Sequence, residues 1–255
     1  MSTNPAPSGA PGAASGDPGD AAVADPGDAL VATGTGTGTA VALPPKPLLR
    51  GAIHALVAPF VLIASIVLVA QSPTTSVRWA NVVFGVSAVL LFGTSAVYHR
   101  GHWSPRVAAL LRRLDHTNIF LIIAGTYTPL SVLLLPASTA RTLLIVVWTG
   151  ALLGVLFRVF WLGAPRWSYV PIYVALGWVA VGFMPQFWRA TDGPTIVWLI
   201  AVGGLAYTVG AVVYGVRRPN PIPRLFGFHE IFHSLTVVGY TCHLVAVWIA
   251  TTALR

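Results

Sequence analysis

Residues 228–250 read FHEIFHSLTVVGYTCHLVAVWIA, and this stretch combines a metal-binding pattern with a membrane span. His229 and His233 are four residues apart, so on a helix their imidazoles lie on one face about one turn apart and can share a metal ion. The residues from Ser234 to Ala250 are almost wholly apolar and numerous enough to cross a bilayer. The predicted site therefore lies at membrane depth, where ionisable side chains are costly and usually functional.

The composition of the whole chain predicts a polytopic membrane protein. Of its 255 residues, 55% are hydrophobic and only 9% are charged, too few to cover a water-soluble domain. Apolar windows of about twenty residues, the length that crosses a bilayer, recur between helix breakers. We expect an all-α bundle of seven transmembrane helices, near residues 51–70, 79–99, 114–135, 142–162, 168–187, 194–216 and 228–250.

The N-terminal residues 1–45 have a different composition from the remainder. They are rich in Ala, Gly, Pro, Ser and Thr, and they contain Thr-Gly repeats from Thr33. Such a segment buries too little apolar surface to offset the entropy of ordering it. We therefore expect a disordered cytoplasmic tail at 1–45 and a membrane domain at 46–255.

The distribution of basic residues predicts the orientation in the membrane, because cytoplasmic loops carry an excess of Lys and Arg. An N-terminus inside and a C-terminus outside put eleven basic residues on the cytoplasmic side and four on the other. Topology then accounts for the net charge of +8, so no nucleic-acid partner is predicted. We expect a multi-pass protein of a bacterial plasma (inner) membrane. The cytoplasmic set is Lys46, Arg50, Arg100, Arg106, Arg112, Arg113, Arg158, Arg166, Arg217, Arg218 and Arg224, and the outer set is Arg78, Arg141, Arg189 and Arg255.

This topology brings polar residues of three spans to one depth. The second span ends inside at His99, the third begins near Asp115, and the seventh begins at His229. Ser95 lies one helical turn before His99, on the same face. Three imidazoles, with Asp115 or a water completing a tetrahedral shell, form the pattern of a catalytic rather than a structural zinc site.

These motifs resemble the haemolysin III branch of the progestin and adipoQ receptor superfamily, the relatives of the adiponectin receptors. The matching stretches are Arg-Gly-Ala-Ile-His (50–54), Ser-Ala-Val-Tyr-His-Arg (95–100), residues 114–129 from Leu-Asp-His-Thr-Asn to Thr-Tyr-Thr-Pro, and His-Glu-Ile-Phe-His-Ser (229–234). The resemblance implies a seven-helix bundle with a cytoplasmic N-terminus and zinc bound by His99, His229 and His233. It also implies that Asp115 contacts a zinc-bound water and that Ser95 matches the serine of the family motif.

Several residues have alternative interpretations. His-Glu-x-x-His also fits a metalloprotease helix in which Glu230 is the general base. His229 and His233 could be packed polar residues, and His99 could be a helix-end histidine that faces the headgroups. Asp115 could pair with Arg112, and Ser95 could pack between helices. Among the remaining histidines, we expect His54 and His243 to be buried and hydrogen-bonded, and His102 and His116 to be interfacial.

Three functions remain open at this point. The first is a zinc-dependent, ceramidase-like hydrolase of lipid amides or esters in membrane lipid homeostasis, in which zinc activates water, Asp115 acts as base and Ser95 stabilises the oxyanion. The second is a non-enzymatic sensor or regulator of membrane state in which the zinc is structural. The third is a cytolysin, as the family name suggests, although residues 1–45 lack the pattern of a secretory signal. Membrane lipids are the predicted partners in each case.

Overall fold

The computed structural model describes residues 49–161, 163–222 and 224–254. The predicted disordered tail at 1–45 lies outside these residues. Within them the chain is helical and forms no β-strand, apart from one isolated bridge between Ile222 and Phe226. The all-α prediction is confirmed.

Eight α-helices and one 3-10 segment form seven spans in the described part of the chain, each long and apolar enough to cross a membrane. The fifth span is composite, and every other span is a single helix. The helices are α1 (Ala52–Ala70), α2 (Thr75–Arg100), α3 (Pro105–Leu134), α4 (Ala137–Phe160), α5 (Arg166–Trp178), α6 (Met184–Trp188), α7 (Gly193–Val216) and α8 (Phe228–Thr252), with the 3-10 segment Val179–Phe183 between α5 and α6.

Helix boundaries follow local sequence signals, and the third span departs most from its predicted start. Thr74 caps α2 by accepting a hydrogen bond from the backbone N–H of Val77 at 3.3 Å. Helix α3 begins at Pro105, although hydropathy predicts a start near residue 114. The reason is that Arg106, Arg112 and Arg113 lower the hydropathy of its first turns, although the chain there is helical. Proline is a favourable residue at the first position of a helix, which is where Pro105 lies.

The fifth span is broken where the 3-10 segment interrupts it. A membrane-embedded break is tolerated when other groups satisfy the released backbone atoms. The hydroxyl of Tyr127, on α3, donates to the carbonyl of Gly177 at 2.7 Å and accepts from the N–H of Ala180 at 2.6 Å. One side chain of a neighbouring helix therefore stabilises this break.

Helix α3 lies at the centre of the bundle. Of the seven spans it is the most buried, because 61% of the residues in its most apolar window are buried. It contacts α2, α4, α5 and α8. The outer helices instead present apolar side chains outward, such as Leu56, Phe160 and Trp198, which are 70%, 84% and 65% exposed. This distribution of exposed apolar side chains is the one expected of a protein surrounded by lipid. Because α3 is central, Asp115 lies in the interior of the bundle.

Candidate metal centre

The three predicted histidine ligands converge in the structure. His99 ends the second span on α2, and His229 and His233 lie in the first turns of α8. All three are buried, and each offers a ligand atom such that these atoms lie within 4.8 Å of one another. This is the only group of this kind among the described residues.

The spacing of the imidazole nitrogens fits a tetrahedral metal ion. Two nitrogens bound to zinc at roughly 2.0–2.1 Å with tetrahedral angles lie about 3.3 Å apart. The Nε2 atoms of His99 and His229 are 3.3 Å apart. The residues present therefore fit a zinc ion.

Asp115 and Ser95 lie beside the histidines. Oδ2 of Asp115 is 3.7 Å from Nε2 of His99, and the carboxylate is buried. Ser95 is 1% exposed and lines the same cavity as Asp115 and His233. The structure thus brings together all five residues that the sequence nominated, while their chemical roles stay predictions.

Glu230 is engaged away from the histidine group. One carboxylate oxygen accepts a hydrogen bond from Nε of Arg50 at 3.1 Å, and the other accepts from the backbone N–H of Gly227 at 2.9 Å. The second bond caps the start of α8. Because both oxygens are engaged by these partners, Glu230 is not available as the general base that the metalloprotease interpretation requires, and that interpretation is wrong for this chain.

The stretch Arg50 to His54 supports the metal centre, a role that the sequence analysis did not assign. Arg50 holds Glu230, the neighbour of His229. Gly51 packs so closely on α2 that a Cβ atom there would lie 2.5 Å from Cβ of His99, and its φ is +74°. The ring of His54 stacks on the ring of His233, with centroids 3.9 Å apart. The sequence signal that could have indicated this role is that Arg-Gly-Ala-Ile-His (50–54) is one of the stretches that match the family.

The other histidines only partly follow the predictions. His243 is buried and its Nε2 lies 3.3 Å from the carbonyl of Ile200, as predicted. His54 is buried, as predicted, but neither ring nitrogen has a close hydrogen-bond partner among the described residues, so its hydrogen bonding stays a prediction. His116 is buried against the guanidinium of Arg158 rather than interfacial, because α3 is central. His102 is exposed, and its interfacial position stays a prediction.

An apolar cavity of about 350 Å³ extends from the histidines into the bundle. This volume is in the range of small-molecule sites. On α3 its lining runs from Asp115 to Leu130, which corresponds to about 22 Å of helix rise. One leaflet contributes about 15 Å of hydrocarbon. The cavity is therefore long enough for an acyl chain, and His229, His233, Asp115 and Ser95 lie at one end of it.

The same cavity reaches the outer surface of the bundle. Trp178 at the end of α5, Val181 in the 3-10 segment and Leu205 on α7 all line it. These side chains are also 51%, 50% and 58% exposed. The broken fifth span and α7 therefore flank a route between the cavity and the lipid-facing surface.

Comparisons with known proteins confirm the family resemblance of the sequence motifs. Residues 44–244 match the family described as Haemolysin-III related. Hemolysin-3 of Bacillus cereus is 34% identical over 153 residues, which cover 60% of this chain and 69% of that protein. The Hemolysin-3 homolog of Bacillus subtilis (strain 168) is 31% identical, covering 62% and 70%. The Heptahelical transmembrane protein ADIPOR2 of Oryza sativa subsp. japonica is 28% identical, covering 67% and 81%.

Proposed function

The chain belongs to the haemolysin III family, and from that premise we propose that it is a zinc-dependent hydrolase of membrane lipids that carry an amide or ester bond. The observation that carries the proposal is that His229, His233 and Asp115 line one end of an apolar cavity, with His99 grouped beside the other two histidines. A multi-pass membrane protein meets such substrates laterally, from the bilayer. We place it in the plasma membrane of a bacterium, acting in lipid homeostasis.

His99, His229 and His233 would hold the zinc ion. Zinc bound by three imidazoles supplies a Lewis acid that activates water and polarises a carbonyl group at neutral pH. The buried side chains around it exclude bulk water, which strengthens electrostatic interactions there. The remaining chemistry belongs to Asp115 and Ser95.

Asp115 has the position required of a general base. Its carboxylate is buried at the histidine end of the cavity and contacts His99, so it can accept a proton from an attacking water. Ser95 offers a hydroxyl at the same end, where it can donate to the carbonyl oxygen as negative charge develops. The apolar lining between His233 and Leu130 would hold the acyl chain.

The test is the substitution Asp115→Asn in purified, zinc-loaded protein. Release of fatty acid from a ceramide and from a matched ester lipid should fall by about 10²–10⁴, the usual cost of losing a general base. Zinc content and the melting temperature should change little, because three histidines suffice to hold the ion. Fatty-acid release is measured by mass spectrometry and zinc by elemental analysis.

Thr117→Val is the matched control. Thr117 is buried on the same helix two residues from Asp115, does not line the cavity, and its hydroxyl donates only locally, to the carbonyl of Leu114. This variant should retain wild-type turnover. Wild-type protein with a full complement of zinc that releases no fatty acid from any amide or ester lipid would end the hydrolase proposal.

A structural zinc is the second candidate, and the contact between Asp115 and His99 favours it. That contact joins α3 to the histidine group of α2 and α8, so a metal there would fasten three helices in a sensor or regulator. In this case Asp115→Asn should lower the melting temperature, and wild-type protein should show no turnover above background.

Cytolysis is the activity that the printed names of the Bacillus relatives suggest for those proteins. Because the described residues form seven apolar spans, we expect the protein to stay in the membrane that holds it and not to lyse others. Release of haemoglobin from erythrocytes by purified protein, compared with the detergent buffer alone, tests this expectation.

A further inference from the structure

His54 is a buried histidine whose ring nitrogens make no close hydrogen bond within the part of the chain that the structure describes. It lies in the first turn of α1 and is 2% exposed. Neither Nδ1 nor Nε2 has a close hydrogen-bond partner among residues 49–161, 163–222 and 224–254. Leaving buried polar groups unsatisfied is costly, so such groups usually meet a ligand or a water.

The orientation of His54 is fixed by aromatic neighbours. Its ring is nearly parallel to that of His233, at 9°, with centroids 3.9 Å apart, and it meets Phe92 edge-on at 4.9 Å. An imidazole binds a metal in its own ring plane, so an ion in the plane of the His233 ring is displaced from the plane of the stacked His54 ring. His54 is accordingly outside the metal-ligand group.

The cavity is the place where a partner for His54 can enter. His54 lines it together with Ser95, Asp115 and His233, at the histidine end. No ion pair of His54 occurs among the described residues, and a charged imidazole without one is unfavourable in a buried site. A neutral imidazole presents one N–H donor and one lone-pair acceptor.

We infer that His54 is a substrate-binding residue that hydrogen-bonds the polar linkage of the lipid whose chain occupies the cavity. This inference rests on the proposed lipid-hydrolase function of the same site. The N–H of a neutral imidazole can donate to the carbonyl oxygen of an amide or an ester, but only a secondary amide has an N–H that can donate to the lone-pair nitrogen. An ester linkage only accepts hydrogen bonds, so His54 favours amide-linked over ester-linked lipids of equal chain length.

Two substitutions separate hydrogen bonding from ring stacking. His54→Phe keeps an aromatic ring against His233 but removes both polar atoms. His54→Asn removes the ring but keeps a donor and an acceptor. Equilibrium binding of N-methylpalmitamide and methyl palmitate is measured for the zinc-loaded full chain in phosphatidylcholine nanodiscs, with empty nanodiscs subtracted. Recovered probe is then examined for cleavage, and zinc content is measured in parallel.

We expect wild type to bind the amide more tightly than the ester. His54→Phe should weaken amide binding by about 3- to 10-fold, the range for one lost hydrogen bond, with a smaller effect on the ester and unchanged zinc content. His54→Asn should recover most of the amide affinity. Tighter amide binding that depends on His54 supports the inference even if neither probe is cleaved, an outcome that would count against the hydrolase alone.

Three outcomes overturn the inference. The first is His54→Phe protein that binds both probes like wild type. The second is loss of zinc in His54→Asn but not in His54→Phe, which would mean that ring stacking on His233 is the role of His54. The third is wild-type protein that binds neither probe. If wild type cleaves the probes and His54→Phe binds and cleaves them equally well, the proposed function stands without this role for His54.

Discussion

The buried ion pair between Arg50 and Glu230 should dominate the stability of the metal centre. The two side chains are 4% and 1% exposed, and their N–O distance is 3.1 Å. Glu230 also accepts a hydrogen bond from Gly227 at the start of α8, immediately before His229. Breaking this pair should therefore destabilise the protein and loosen one zinc ligand.

The expected loss of stability depends on the charge that remains buried without its partner. Arg50→Met leaves a buried carboxylate, and Glu230→Gln leaves a buried guanidinium while retaining an acceptor for Gly227. Removing one partner of a buried pair costs about 3–5 kcal/mol, because the remaining charge is uncompensated. At about 2–4 °C per kcal/mol for a protein of this size, each single variant should melt roughly 6–20 °C below wild type.

The double variant Arg50→Met, Glu230→Gln is the control. It removes both charges together, and neutral replacement of a buried pair is often nearly neutral in stability. We expect it to recover most of the lost melting temperature and zinc content. Thermal unfolding is followed by size-exclusion chromatography of heated samples, at one fixed zinc concentration for all four proteins.

The reasoning is refuted if either single variant melts within about 2 °C of wild type, since a buried unpaired charge cannot be that inexpensive. It is also refuted if the double variant melts as low as the sum of the two single effects, because additive losses would mean that Arg50 and Glu230 do not interact.

Three further predictions concern the metal, the topology and the packing. Replacing His99, His229 or His233 with alanine should abolish stoichiometric zinc in elemental analysis, whereas replacing the exposed His102 should not; full zinc in the His229→Ala, His233→Ala double variant would contradict the assignment. Reporter fusions should put the N-terminus in the cytoplasm and the C-terminus outside, and finding both ends on one side would contradict an odd number of spans. Gly51→Ala should lower the melting temperature by a few degrees or more. The left-handed φ of +74° costs an alanine about 1–2 kcal/mol, and the added Cβ would meet that of His99. A melting temperature equal to that of wild type would show that α1 and α2 can move apart at this contact without loss of stability.

The sequence by itself determined the membrane architecture of this protein. Apolar windows set the number of spans, because the bilayer thickness fixes the length of a helix that crosses it. Motif spacing identified His99, Asp115, His229 and His233, because the i to i+4 period of a helix and alternating topology bring them to one depth. The motif spacing could not decide the role of Glu230, since the same His-Glu-x-x-His motif allows the carboxylate to face a metal or to face away from it.

Only the tertiary structure decided which groups the histidines meet. Arg50 and Glu230 are 180 residues apart in the chain, and no local period predicts that they pair. The stacking of His54 on His233, the burial of His116 and the apolar cavity arise because α3 is central and α1 packs beside α8. Such contacts depend on which helices are neighbours and on which side of each helix faces its neighbour. In a bundle of uniformly apolar spans, the hydrophobic pattern says little about either.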